Sequence, residues 1–190
     1  MIAAMRTITI FGSSLPPCET TSYSQARQLG RAIAACGWAV CNGGYAGLME
    51  ASARGAREGG GHTIGVTCSV WPYQANPWIV EEIRTPSFPS RLMTLIERGD
   101  AYVVLPGGTG TLAELALLWE MMNKSTLSAT VGGKKPLLLL GSYWQPVIDC
   151  LHQETHLLVA GFAPRAAMDL ITMAADVEEA ASVLAERLRQ

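Results

Sequence analysis

The chain has 190 residues, 49% apolar and 16% charged, with a formal net charge of −2 and a pI near 5.9. That composition excludes a disordered chain, and the charge leaves no basic footprint for nucleic acid or for an acidic membrane surface. No apolar run reaches membrane-spanning length, and residues 1–6 carry no charged leader with a long apolar core, so no signal peptide is expected.

The length predicts one domain over residues 1–190. Residues 6–11 read as a first strand running into the turn Gly12-Ser13-Ser14. Pro16 and Pro17 keep the next stretch out of helix. A helix from about Ser22 places Ala26, Leu29, Ile33 and Ala34 on one face and ends at Gly37. Residues 38–41 form a second strand, followed by Asn42-Gly43-Gly44-Tyr45-Ala46-Gly47-Leu48-Met49 and a helix through Glu50 to about Glu58. Residues 63–67 are the third strand. Residues 68–78 form a loop with Trp71 and Trp78, whose aromatics either cover a ligand, sit in a subunit contact or pack the loop itself. A fourth strand over 79–84 contains Glu81 and Glu82, and a helix over 89–98 carries Arg91 with Leu92, Leu95 and Ile96 on its buried side.

The fifth strand, 101–105, hands over to Pro106-Gly107-Gly108-Thr109-Gly110-Thr111-Leu112-Ala113-Glu114 and a helix over 112–123. A polar loop over 124–135, a sixth strand over 136–141, a helix over 144–155 and a loop over 158–164 come next. A short last strand over 167–172 and a closing helix over 176–189 complete the chain. This alternation predicts an α/β fold: a Rossmann-like, doubly wound parallel sheet flanked by helices, with right-handed connections.

Three strand–glycine–helix junctions stand out, after residues 11, 41 and 105. Ligands in such sheets bind outside the carboxyl ends of the strands. Glycine lets the backbone approach a ligand closely, and the free N–H groups of the following helix favour an anion, most often phosphate. Gly107, Gly108, Thr109, Gly110 and Thr111 are therefore the candidate phosphate cradle. Gly12 and Ser13 form a second wall, and the second glycine turn, Gly43-Gly44, strengthens the ligand reading. The competing reading of Thr111-x-x-Glu114 is a capping box, with Thr111 at the N-cap and Glu114 reaching back. The glycines do not make a Walker loop, because no G-K-[ST] follows, and they fit the dinucleotide fingerprint poorly.

His152 and His156 stand at i and i+4, but Gln153 occupies the place of a metalloprotease glutamate and no third ligand is evident, so no metal is expected. His62 sits in a glycine loop. Lys124, Lys134 and Lys135 all lie in one polar loop, which disfavours a Schiff-base cofactor. Five scattered cysteines (Cys18, Cys36, Cys41, Cys68, Cys150) include no C-x-x-C pair, as expected for reduced thiols in a cytoplasmic protein.

The nine-residue stretch from Pro106 to Glu114 resembles the P-G-G-x-G-T-x-x-E signature of the LOG family, the cytokinin riboside 5′-monophosphate phosphoribohydrolases and their bacterial relatives, often mislabelled lysine decarboxylases. Gly43-Gly44-Tyr45-Ala46-Gly47-Leu48-Met49 resembles the family's G-G-G-x-x-G-L-M-G, with Asn42 and Glu50 in place of its outer glycines. Arg91, fifteen positions before Pro106, matches the family's catalytic arginine, flanked here by Ser90 and Leu92. Gly12-Ser13-Ser14 with Tyr23 resembles the family's first loop. Leu117 stands where plant-like members carry another glutamate.

The resemblance implies hydrolysis of the N-glycosidic bond of a nucleoside 5′-monophosphate, AMP or a cytokinin riboside monophosphate, without a cofactor. Glu114 would act on the sugar, Arg91 would position phosphate or ribose or orient Glu114, and Gly43, Gly44 and Met49 would line the nucleotide pocket. The resemblance also implies a homodimer, with Trp71, Trp78, Met121 and Met122 as candidates for its apolar contact. Two other readings stay open: a nucleotide-binding or sensing protein without hydrolysis, and a hydrolase of another phosphorylated nucleotide.

Overall fold

Strand alternation decides which helices cover which face of the sheet. In β1 (Thr7–Phe11), Ile8 and Ile10 point to one side and Phe11 to the other. Val103 likewise opposes Tyr102 and Val104 in β5 (Ala101–Val104), and Leu138 opposes Leu139 in β6 (Leu137–Leu140). Strands apolar on both sides need cover on both sides, the signature of a buried parallel sheet. The computed structural model describes residues 5–15, 17–129, 132–157 and 165–189. It has a single sheet in the order β4-β3-β2-β1-β5-β6-β7, with β2 Ala39–Asn42, β3 Thr63–Cys68, β4 Glu81–Thr85 and β7 Ile171–Ala174. Every neighbouring pair is parallel.

One face is covered by α1 (Thr21–Ala35), α2 (Leu48–Glu58) and α8 (Val177–Leu188), which bury Leu29, Ile33, Leu48 and Leu184 against Ile8, Ile10 and Val40. The other is covered by α3 (Phe88–Arg98), α4 (Thr109–Asn123) and α6 (Gln145–Leu157), with Leu95, Leu115, Leu118 and Ile148 packed on Phe11, Tyr102 and Val104. Helices α1 and α2 touch backbone to backbone, because a Cβ on Gly30 would overlap the Ser52 carbonyl and one on Gly55 the Arg27 carbonyl. The edge strand β4 exposes Glu82 and Arg84, charges that discourage pairing with another chain.

Several elements differ from expectation. Helix α4 begins at Thr109, with Gly108 at the N-cap. Thr111 is then already the third helical residue, so the capping-box reading of Thr111 and Glu114 is wrong. The box is instead in α3, where Ser87 accepts from the Ser90 amide and Ser90 reaches back to Ser87. Residues 124–135 include a short helix α5 (Ser125–Ser128), and the last strand lies four residues later than expected, behind the short helix α7 (Arg165–Met168). Met121 and Met122 are buried in the core beneath α4 and are therefore not a subunit contact. The expected loop over 158–164 and the His156 side chain lie outside the described residues. Among the described residues no helix is long and apolar enough to cross a membrane.

Candidate active site

The chain leaves β1 toward β2, β3 and β4 on one side, and returns beside β1 as β5 before continuing to β6 and β7. Such a reversal opens a crevice beyond the carboxyl ends of the two central strands, here β1 and β5. A cavity of ≈ 960 Å³ lies there. Gly12 and Ser13 line it after β1, Met49 and Glu50 from the first turn of α2, Arg91 from α3, and Gly108, Thr109, Gly110, Thr111 and Glu114 from α4. The two central loops are tied together by the Ser13 amide, which donates to the Pro106 carbonyl at 3.1 Å.

The α4 end of the cavity is built for an anion. The amides of Thr109, Gly110 and Thr111 are the first of the helix and have no intrahelical acceptor, no side chain caps the helix, and no acidic residue lies in its first turn. Gly108, Thr109 and Gly110 are exposed, and a Cβ at Gly108 or Gly110 would meet open space. Gly107 does not line the cavity. A Cβ there would overlap the Thr111 side chain, so Gly107 makes room for Thr111, and its carbonyl accepts from the Tyr143 hydroxyl at 2.9 Å.

Three and four residues beyond Thr111 and Gly110, Glu114 shares their face of the helix. Its side chain leans back toward the helix start, as helical side chains do. It is 11% exposed and faces Arg91, which is 6% exposed, with Nη1 to Oε1 at 3.6 Å. That separation is an ion pair and too long for a direct hydrogen bond. Burial of the Glu114 carboxyl outweighs the attraction of Arg91, and its pKa is pushed up to about 7. At neutral pH the group is thus divided between acid and base forms, the condition for general acid–base work.

Arg91 is held by groups far apart in sequence. Its Nε donates to the Val66 carbonyl at 2.7 Å and Nη2 to the Gly43 carbonyl at 3.0 Å. The guanidinium carbon lies 5.4 Å from the Tyr45 ring centre and 5.5 Å from that of Trp71, within cation–π range. With Nε and Nη2 engaged by the backbone, the guanidinium is held with Nη1 toward Glu114.

Gly43 and Gly44 lie behind the cavity wall rather than on it. A Cβ on Gly43 would overlap the Arg91 guanidinium, so this glycine is the seat of the arginine. Asn42 braces the same turn: its Oδ1 accepts from the Gly44 amide at 2.8 Å, and its Nδ2 donates to the Met49 carbonyl at 2.8 Å and to the Ser52 hydroxyl at 3.0 Å.

An aromatic canopy of Tyr45, Trp71, Tyr73 and Phe88, in edge-to-face contact, forms part of the cavity wall. Of the two loop tryptophans, Trp71 covers the cavity, whereas Trp78 lies outside its lining, beside Arg54 at 5.4 Å. Tyr45, Val66 and Asn76 have no role in the sequence reading. Asn76 donates from Nδ2 to the Gly44 and Tyr45 carbonyls at 3.0 and 2.9 Å and so sews the canopy loop to the β2 turn. The strand–glycine–helix pattern marks the turn, but nothing local marks its distant braces.

His62 pairs with Glu81 at 3.2 Å on the edge strand. Lys135 donates to the Gly99 carbonyl at 2.6 Å, just before β5 and so at the opposite end of the sheet from the cavity. All five cysteines are free thiols, with Cys41 and Cys68 buried. Among the described residues no group of three or more His, Cys, Asp or Glu converges.

A sequence profile of the SLOG cluster4 family matches residues 5–166. The chain belongs to this LOG-like family. Among relatives, this chain aligns with the cytokinin riboside 5′-monophosphate phosphoribohydrolase of Rhodococcoides fascians at 29% identity, over 94% of this chain and 89% of that protein. A protein of the same name from Mycobacterium tuberculosis is 39% identical over 54% of this chain and 57% of its own length. Among solved structures, the molybdenum cofactor carrier protein of Chlamydomonas reinhardtii superimposes with a TM-score of 0.72 at 26% identity, covering 98% of this chain and 99% of that one. The molybdenum cofactor binding protein of Rippkaea orientalis shares the fold with a TM-score of 0.73 at 24% identity, covering 98% and 99%.

Proposed function

We propose that this protein hydrolyses the N-glycosidic bond of a nucleoside 5′-monophosphate, with AMP or a cytokinin riboside monophosphate as substrate, giving the free base and ribose 5-phosphate. The observation that carries the reading is the buried Arg91–Glu114 pair one helical turn below an uncapped helix N-terminus. The names of the Rhodococcoides and Mycobacterium relatives support it.

The 5′-phosphate accepts from the amides of Thr109, Gly110 and Thr111, with the positive end of the α4 dipole behind it. The sugar then lies over Glu114, and the base extends toward Trp71, Tyr73 and Phe88, whose faces suit stacking. As the bond from the anomeric carbon to the base nitrogen breaks, positive charge develops on the sugar, and the Glu114 carboxylate stabilises it. Glu114 takes a proton from the attacking water, whose oxygen bonds to the anomeric carbon, and the electron pair of the broken bond leaves with the base, which is protonated from solvent. Arg91 holds the carboxylate in place and favours its charged form. No resident cofactor enters this scheme. Chromatography of the purified protein incubated with AMP tests it: adenine and ribose 5-phosphate appear together, and intact AMP after prolonged incubation contradicts the reading. A panel of nucleoside monophosphates then gives the base preference and covers hydrolysis of another nucleotide.

The Chlamydomonas neighbour favours a second reading, a binding protein for the molybdenum cofactor or another phosphorylated ligand without hydrolysis. A carrier has no need of a half-protonated carboxylate buried beside an arginine, which is why hydrolysis is preferred. Intact AMP recovered from a tight complex would reverse that preference. We further propose a homodimer that covers the exposed Leu15 and Tyr73 at the cavity mouth. Light scattering at the mass of one chain would oppose it.

A further inference from the structure

Two helix N-termini reach this cavity, α4 through Gly108, Thr109, Gly110 and Thr111, and α2 through Met49 and Glu50. Both have a glycine at the N-cap and neither has a capping side chain. The other helices with a described N-cap and ten or more residues, α1, α3 and α8, are capped by Thr20, Ser87 and Asp176. The two glycine-capped ends differ in charge. The first turn of α4 has no acid, whereas that of α2 carries Glu50.

Glu50 is held in that place. The Tyr23 hydroxyl, from α1, donates to its Oε1 at 3.3 Å. Its side chain belongs to the cavity lining. Among the described residues no arginine forms an ion pair with it, although Arg54 also hydrogen-bonds the Tyr23 side chain. Arg27, Arg31 and Arg54 are all drawn to Glu58, at 2.7, 2.8 and 3.0 Å. A carboxylate on a cavity wall, held by the Tyr23 hydroxyl and in no ion pair among the described residues, puts negative charge inside the proposed phosphate site.

We propose that Glu50 restricts the cavity to ligands with a single anionic group, by placing the protein's own charge on the α2 side of the wall and repelling a second phosphate. This rests on the nucleotide reading of the site but not on hydrolysis. The first amide of α2, that of Leu48, already donates to the Ser13 carbonyl at 2.8 Å, so what a second anion meets on this wall is the Glu50 carboxylate. With Glu50 present, a diphosphate or a bisphosphate meets a like charge in a partly desolvated space, where such repulsion is strong.

The test is calorimetric binding of AMP, ADP and adenosine 3′,5′-bisphosphate in the Glu114→Gln background, where AMP is not consumed, with and without Glu50→Gln. The expected result is that AMP is preferred about tenfold or more over both doubly anionic nucleotides, and that Glu50→Gln reduces this preference about tenfold while the AMP affinity stays within about threefold. The amide retains an acceptor for Tyr23, so the fold is preserved. Tyr23→Phe, which releases the carboxylate without removing it, relaxes the preference by a smaller factor and decides the matter should Glu50→Gln fail to fold. An unchanged preference in both variants overturns the proposal alone. If no nucleotide binds to any of the proteins, the nucleotide reading falls and this proposal with it.

Discussion

Helices α2 and α4 both follow a parallel strand and a glycine turn, both have a glycine at the N-cap, and both start at the rim of one cavity. At α2 the turn is closed. The Ser13 carbonyl accepts from the Leu48 amide at 2.8 Å, Gly47 has φ +66°, and any Cβ on it would press within 2.5 Å of the Ser14 backbone. The glycines Gly43 and Gly47 therefore serve protein–protein packing, one against Arg91 and one against the β1 loop. At α4 the turn is open, the glycines Gly108 and Gly110 face empty space, and the first amides have no partner. The same sequence pattern thus gives a scaffold in one place and the proposed anion site in the other, and what separates the two is whether protein atoms already fill the space above the glycines.

The largest effect should come from emptying the site between the two helices. Arg91→Ala removes the donor to the Val66 and Gly43 carbonyls and leaves Glu114 buried without a cation. Loss of one partner of a buried pair costs about 3–5 kcal/mol, so denaturant unfolding should show a destabilised protein, with base release lost. Gly110→Glu places in the first turn of α4 the acid that α2 already has. It should raise the KM for AMP about tenfold or more by repelling the phosphate, and leave the melting temperature equal or slightly higher, because an acid there suits the dipole. Weaker binding together with lower stability would mean that the loop, not the charge, had been damaged.

The pH dependence comes next in size. The Glu114 pKa is raised to about 7 from an ordinary 4.5 by burial. Between these values the folded protein holds a proton that the unfolded chain has lost, so stability contributed by the protonated form falls as pH rises from about 4.5 and is fully lost above about 7. Relative to Glu114→Gln, the wild type should lose melting temperature across that window, while its turnover climbs through about pH 7 as the carboxylate forms. The smallest effect is expected far from the cavity. Glu58 binds Arg27, Arg31 and Arg54 near the surface, and its carboxyl is held at about 2, chiefly by the hydrogen bond from Arg27. Glu58→Gln should cost only about 1 kcal/mol, read by urea unfolding, with unchanged turnover.

Much of this architecture is legible in the sequence because it is local. Apolar runs mark the strands, glycines mark the turns, and strand–helix alternation marks the parallel sheet, though not the order of its strands. What the chain brings together over distance is not. The seat of Arg91 joins Val66, Gly43, Tyr45 and Trp71 from separate loops, and no periodicity announces it. Pairing of Arg91 with Glu114 was expected from family resemblance alone. Thr111-x-x-Glu114 misled because a capping box is defined by spacing, and the helix had already begun at Thr109 with glycine as its cap. Ala167 and Met168 misled for a related reason, since a short apolar run fits a helical turn as well as a strand. The exposed–buried status of Met121 and Met122 depends on which face of α4 meets the sheet, and α4 is apolar on most sides.

The most direct measurement compares wild type and Glu114→Gln for release of adenine from AMP, with AMP binding measured on the same preparations. The structure predicts that turnover falls by about 10²–10⁴-fold, the usual contribution of a general acid–base group, while binding changes by no more than a few fold, because the phosphate amides of α4 are untouched. Equal turnover by the two proteins would contradict the account and leave Glu114 as a structural partner of Arg91.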